Sequence, residues 1–160
     1  MRNSSRMVKS LDAEALHFFS LISCFNGHFS IDWLVGILRG KASEILLLLE
    51  DGVRKRWLAK KDGGIFYFKN LKIREELENK ASPPEKEQAH RKIVEYLIEE
   101  VPDNHEKILL LSCHLQKIKC NGEFCKLLLD AGDIYLKSFR TEEALKCYSK
   151  ILDELSCVED

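Results

Sequence analysis

Trp57-Leu58-Ala59-Lys60-Lys61-Asp62-Gly63-Gly64-Ile65-Phe66-Tyr67-Phe68 is the stretch on which the reading of the fold turns. Two short runs rich in aromatic and branched residues flank an Asp-Gly and a Gly-Gly pair. Those pairs supply the positive φ that a tight chain reversal needs, without a Cβ penalty. The stretch is predicted to be a β-hairpin, with strands over Trp57–Ala59 and Ile65–Phe68. Everything around it has helical spacing instead. Upstream, Leu11, Ala15, Phe18, Phe19 and Ile22 recur at helical intervals, so a helix is expected over Asp12–Phe25, stopped by Asn26-Gly27. Ser30 then caps a second helix, with Asp32 in its first turn and Trp33, Leu34, Ile37 and Leu38 on its apolar face; Gly40 ends it. Ser43 is expected to cap a third helix through Leu49, with Gly52 at a left-handed C-cap. Its five consecutive apolar residues, Ile45–Leu49, cover more than one face, which predicts a place at the centre of the core.

Downstream of the hairpin the chain reads as helix throughout. A helix is expected over Leu71–Ala81. Ser82-Pro83-Pro84 stops it and opens another that runs to Glu100, because proline is tolerated in a first turn. Pro102-Asp103 breaks that helix and Asn104 opens the next, which carries Ile108, Leu109, Leu111 and Leu115. Asn121-Gly122 breaks again. Two last helices, Glu123–Ser138 and Thr141–Leu155, are joined by a turn so short that they must be antiparallel neighbours. The expected fold class is mainly α. Three helices and a hairpin over residues 11–82 have the order of a winged helix, and residues 83–160 form an antiparallel helical array. Residues 1–10 are read as a disordered leader.

The bulk composition suits a globular, water-exposed protein. Apolar residues make up 45% of the 160 and charged residues 32%, with a net charge of −1, so no global field favours nucleic acid or membrane. The polar, basic start is not a signal peptide, and Ile45–Leu49 is far too short to span a bilayer. A cytoplasmic location is expected. The six cysteines fit it: four lie in helical patterns, where a thiol acts as a small hydrophobe, and disulfides are not expected in that compartment.

The final segment carries Leu128, Ala131, Gly132 and Tyr135, then Ala144 and Tyr148. This resembles one tetratricopeptide repeat, with small residues where two helix axes approach and tyrosines filling the space beside them. Ile151 replaces a usual alanine and Ser156 a usual proline. One repeat cannot bury both faces, so either further repeats or the preceding helices must cover it. The longer run of Phe66-Tyr67-Phe68-Lys69-Asn70-Leu71, Arg74-Glu75, Pro83-Pro84-Glu85, His90-Arg91-Lys92-Ile93 and Leu110-Leu111-Ser112-Cys113-His114 resembles the STAND class of signal-transduction NTPases. The order of these motifs is more specific than any one of them. In that class a winged helix follows the nucleotide-binding module and a helical linker leads into superhelical repeats. The resemblance implies a regulatory region of a larger signalling or transcription-regulating ATPase, its helical array binding a protein partner or the parent's other domains. Many members place a histidine just after the second wing strand, against the nucleotide phosphates. Lys69 stands there in this chain, and a lysine meets phosphate only as a point charge.

The chain carries no catalytic constellation. Gly63-Gly64 is followed by Ile-Phe-Tyr rather than Gly-Lys-Ser/Thr, so it is no phosphate loop. Neither a Gly-x-Ser-x-Gly elbow nor a His-Glu-x-x-His pair occurs, and Glu75-Glu76 and Glu142-Glu143 read as solvated helix faces. Cys113, His114, Cys120 and Cys125 are the sharpest metal candidates. They lack a Cys-x-x-Cys pair, and Asn121-Gly122 turns the chain before the last, so core packing is the favoured reading. No enzyme activity, metal or cofactor is expected. The rival function is DNA binding through a basic wing: Arg54, Lys55, Arg56, Lys60, Lys61 and Lys69, with Lys72 and Arg74, crowd the hairpin. Against it, the helix in the recognition position, Ser43–Asp51, offers acids and apolar residues and nothing that reads base edges.

Overall fold

The computed structural model describes residues 8–156. Among them are eight α-helices and one small three-stranded antiparallel sheet, so the protein is mainly α. The order is α1 (Ala13–Ile22), β1 (His28–Ser30), α2 (Ile31–Leu38), α3 (Ala42–Arg54), β2 (Leu58–Lys61), β3 (Ile65–Phe68), α4 (Leu71–Glu78), α5 (Pro83–Glu100), α6 (His105–Leu115), α7 (Gly122–Lys137) and α8 (Thr141–Ser156). The chain divides into two compact units, one up to Ala89 and one from His90, so the division falls inside α5 rather than at the expected boundary after Ser82. Most of the expected leader lies outside the described residues. Its last part is ordered: Val8 is helical and buried, and its carbonyl accepts the Leu11 N–H.

In the first unit, short polar side chains set the helix starts. Asp12 accepts the Ala15 N–H at 2.8 Å, Ser30 the Trp33 N–H at 3.1 Å and Asn70 the Ile73 N–H at 3.2 Å. Each satisfies one of the donors that a first turn leaves open. The expected hairpin forms, with Gly63 (φ 74°) and Gly64 (φ 71°) in the reversal, β3 at the expected Ile65–Phe68 and β2 shifted to Leu58–Lys61 from the expected Trp57–Ala59. Phe29, Leu58, Phe66 and Phe68 point from one face of the sheet into the core. There Phe19 meets the Trp57 ring edge-on at 5.3 Å, and Phe25 lies 5.4 Å from Phe29. Ser20 Oγ donates to the Leu77 carbonyl at 3.1 Å and ties α1 to α4.

Several expectations are corrected. His28–Ser30 is a third strand, absent from the sequence reading. It pairs antiparallel with β3, which becomes the central strand of the order β1-β3-β2. Ser43 does not cap α3; the helix starts at Ala42 behind Lys41, which makes no side-chain cap bond. Arg39 (φ 51°), not Gly40, takes the left-handed position after α2. The Ile45–Leu49 run is not central: α3 buries Ile45, Leu49 and Gly52, while Leu47 is 67% exposed. Gly52 is inside the helix, and the left-handed residue beyond α3 is Arg56 (φ 61°).

The reason for glycine at position 52 is close packing. A Cβ there would stand 2.8 Å from Leu58 Cδ1 and 3.0 Å from Phe19 Cε1, both on fully buried side chains. Alanine gains about 1 kcal/mol of helix propensity, but overpacking a filled core costs about 1–3 kcal/mol. Gly52→Ala is expected to destabilise the first unit by about 1 kcal/mol, the middle of the difference between the two. Urea unfolding followed by tryptophan fluorescence checks this, and an unchanged or raised midpoint would contradict the close approach.

The second unit is helical. Ile93, Val94 and Leu97 from the latter half of α5, Leu111 and Leu115 from α6, Ile118, and Leu128 and Ala131 from α7 are buried. Asn104 caps α6 as expected, at 2.7 Å, while Asn121, read as part of a break, caps α7 at 2.9 Å and Gly122 is that helix's first residue. Ser138–Arg140 reverses the chain between α7 and α8, with Phe139 at φ 58°.

Candidate functional site

Two surfaces carry the residues singled out in the sequence, one in each unit. In the first, the basic residues around the hairpin divide into two sets. Arg54 Nη2 bonds Asp51 at 2.5 Å, and Lys55 also pairs with Asp51 while its ammonium lies 5.2 Å from the centre of the Trp57 ring. Burial alone would raise the Asp51 carboxyl, but hydrogen bonds from Lys55 and Arg54 outweigh it and hold the group below the usual carboxylate range. Lys55 is thus held partly buried, whereas Arg54 stays 79% exposed beyond its ion pair. Arg56, Lys60, Lys61 and Lys69 are exposed. Lys60 lies 5.9 Å from the Phe66 ring centre and Lys61 5.4 Å from that of Tyr67. Lys69 uses its backbone N–H to bind the Trp57 carbonyl at 2.9 Å and leaves its side chain in solvent. Arg74 Nη1 bonds Asn26 at 2.7 Å and joins α4 to the turn before β1. The outer face of α3 presents Glu44, Leu47 and Glu50, which cannot read bases and would repel phosphates.

In the second unit, the repeat-like residues meet across α7 and α8. Leu128, Ala131, Tyr135 and Ala144 are buried. A Cβ on Gly132 would stand 2.5 Å from Tyr148 Cε1, so the tyrosine ring lies directly on the glycine backbone. Tyr148 O–H donates to Asp133 at 2.8 Å. Tyr135 reaches the other way: its hydroxyl is 3.2 Å from Ser112 Oγ and 3.4 Å from the Leu109 carbonyl on α6. The Arg140 guanidinium covers the Tyr135 ring at 4.7 Å and pairs with Glu143 at 2.7 Å. Together these contacts hold the α7–α8 hairpin in one geometry.

The same two helices carry an apolar face that the sequence reading did not single out. Leu129 and Leu136 on α7, and Leu145, Leu152 and Leu155 on α8, are about half exposed or more. Phe139 at the turn is 94% exposed. The available signal was the seven-residue recurrence of Leu129 with Leu136 and of Leu145 with Leu152, which places each pair on one stripe of its helix. An exposed phenylalanine at positive φ adds backbone strain to the solvation cost.

The metal candidates are not assembled. Cys113 is exposed and its thiol faces the Leu109 carbonyl at 3.5 Å, Cys120 turns to the Leu115 carbonyl at 3.3 Å, and His114 faces His90. Among the described residues no three His, Cys, Asp or Glu side chains stand together as metal ligands, and the five described cysteines are free thiols. Among these residues, too, no helix is long and apolar enough to cross a membrane. No family model, curated protein or solved structure matches the chain.

Proposed function

We propose that this chain is a non-catalytic interaction and regulatory region of a larger cytoplasmic signalling ATPase of the STAND type. Its first unit serves as a winged helix and its second as a tetratricopeptide-like helical array. Support for the first part is the order α1-β1-α2-α3-β2-β3 with β3 central in the sheet. Support for the second is the close approach of α7 and α8 at Gly132, with Tyr148 and Tyr135 on either side. The observation that carries the interaction role is the row Leu129, Leu136, Phe139, Leu145, Leu152 and Leu155 on one helical pair. Exposed apolar surface concentrated in this way marks an interaction face. Partner docking on this face would bias how the array sits against the parent's nucleotide switch, and so shift its equilibrium. Sequence-specific duplex reading ranks below this because of the acidic and apolar outer face of α3.

The test is site-specific photo-crosslinking in cells of the source. A benzophenone residue at Phe139 is expected to capture a discrete partner. Leu145→Ser with Leu152→Ser should abolish the product without lowering the melting temperature, since both side chains are exposed. A probe at the polar, exposed position of Glu123 serves as the control. Capture from position 123 equal to that from 139, or capture that survives the double substitution, would count against an interaction face here.

A further inference from the structure

The outward face of the three-stranded sheet has a composition that packing does not require. Strand alternation sends Phe29, Phe66, Phe68 and Leu58 inward, so the opposite residues face out. The register places His28, Tyr67 and Ala59 side by side in one cross-strand row, and Ser30, Ile65 and Lys61 in the next. His28 is exposed and its ring centre lies 5.1 Å from that of Tyr67. The exposed ammonium of Lys61 lies 5.4 Å from the Tyr67 ring centre, so a solvent cation reaches the ring face. Ala59, on the other side, has only a methyl group and does not shade the ring. Over positions 58–72 the charges are Lys60, Lys61, Lys69 and Lys72 against Asp62 alone.

We infer that this face is a platform for single-stranded nucleic acid: Tyr67, with His28 beside it, stacks an unpaired base, and Lys61 swings from the ring to a flanking phosphate. Lys69, two residues on from Tyr67 just past β3 and so of the same parity, extends the positive track toward the open end of the hairpin, whereas Lys60 pairs with Phe66 and belongs to the opposite face. Charge alone would hold any polyanion. The part of the half-buried Tyr67 ring that Lys61 uncovers adds a preference for exposed bases, because stacking needs the π-face that a duplex keeps inside. The outer face of α3 cannot complete a duplex-reading surface, and a platform for unpaired bases does not need it.

The full chain is titrated by fluorescence anisotropy against a short labelled oligothymidine and against a labelled duplex of equal length, at low and moderate salt. The expected result is binding to the single strand in preference to the duplex. Tyr67→Leu, which keeps an apolar side chain but removes the stacking face, should weaken it about tenfold, and Tyr67→Phe should retain it. Lys61→Gln should flatten the slope of log affinity against log salt by about 0.7, the share of one phosphate contact on a single strand. His28→Ala, at an exposed position that leaves the core intact, should weaken binding several-fold and keeps the test decisive if Tyr67→Leu unfolds. No single-strand binding at low salt would overturn the inference. So would a duplex bound as tightly, or an affinity indifferent to both ring substitutions; that last result would leave only a non-specific cation patch.

Discussion

Lys107→Met is expected to destabilise the second unit by about 2–4 kcal/mol, although it replaces one long side chain by another. Lys107 is only 6% exposed. Its ammonium donates to the Ile98 carbonyl at 3.0 Å, the Val101 carbonyl at 2.6 Å and Asp103 Oδ1 at 2.9 Å. The need arises from Pro102. In a continuing helix the Ile98 carbonyl would accept the N–H of residue 102, and proline has none. Lys107 reaches back from the first turn of α6 to supply that donor, and its charge sits at the negative end of the α5 dipole. Methionine fills the volume but leaves two part-buried carbonyls without it, at about 1–2 kcal/mol each, the lower part of the range for buried groups. Asp103 contributes little, since it is 95% exposed; Asp103→Asn should cost less than about 0.5 kcal/mol. Hydrogen exchange of the α6–α8 amides measures the effect within this unit. Equal protection in Lys107→Met and the parent chain would show that water satisfies these carbonyls.

The second large effect is a loss of stability in acid, carried by His114. His90 Nδ1 and His114 Nδ1 lie 2.9 Å apart, and both side chains are buried. One ring must donate from Nδ1 and the other accept there. Burial first, and His90 second, push His114 from 6.5 down to about 3. Above 6.5 the group is neutral both folded and unfolded, and the full stability is present. As pH falls toward 3, the unfolded chain takes up a proton that the folded one refuses. Stability should therefore fall by up to about 1.4 kcal/mol per pH unit from this group, and this contribution levels off below about 3. Carboxylates titrate in part of the same range, so the measurement is a difference. Urea midpoints of the parent and of His114→Gln are compared from neutral pH to about pH 4. The variant is expected to start less stable and to show the shallower decline. Parallel declines would remove His114 as the source.

Much of the local structure was legible in the sequence. Asp12, Ser30, Asn70, Asn104 and Asn121 each stand before a helix and accept an N–H three residues on. That bond needs only the backbone beside it. Gly63-Gly64 made the hairpin visible for the same reason: the required φ is a property of the residue. Where two local signals competed, the reading failed. Ser43 looked like a cap, but the apolar face of α3 set the helix start, and α3 begins one residue before it. The repeat-like residues were legible because small and aromatic types at helical spacing mark an axis-to-axis contact, and Gly132 under Tyr148 realises it.

Apart from the start of α3, where helices begin, where the hairpin turns and which unit carries the sheet follow from interactions within about four residues of chain. The rest came from packing between elements. His28–Ser30 became a strand because β3 offered it a second edge, and three residues carry no alternation of their own. Gly52 is required by Leu58 and Phe19, which reach it from β2 and α1. His90 and His114, on separate helices, share a hydrogen bond that neither neighbourhood announces. Lys107 is buried against the usual preference of lysine, because the carbonyl stranded by Pro102 lies within its reach only once α5 and α6 have packed.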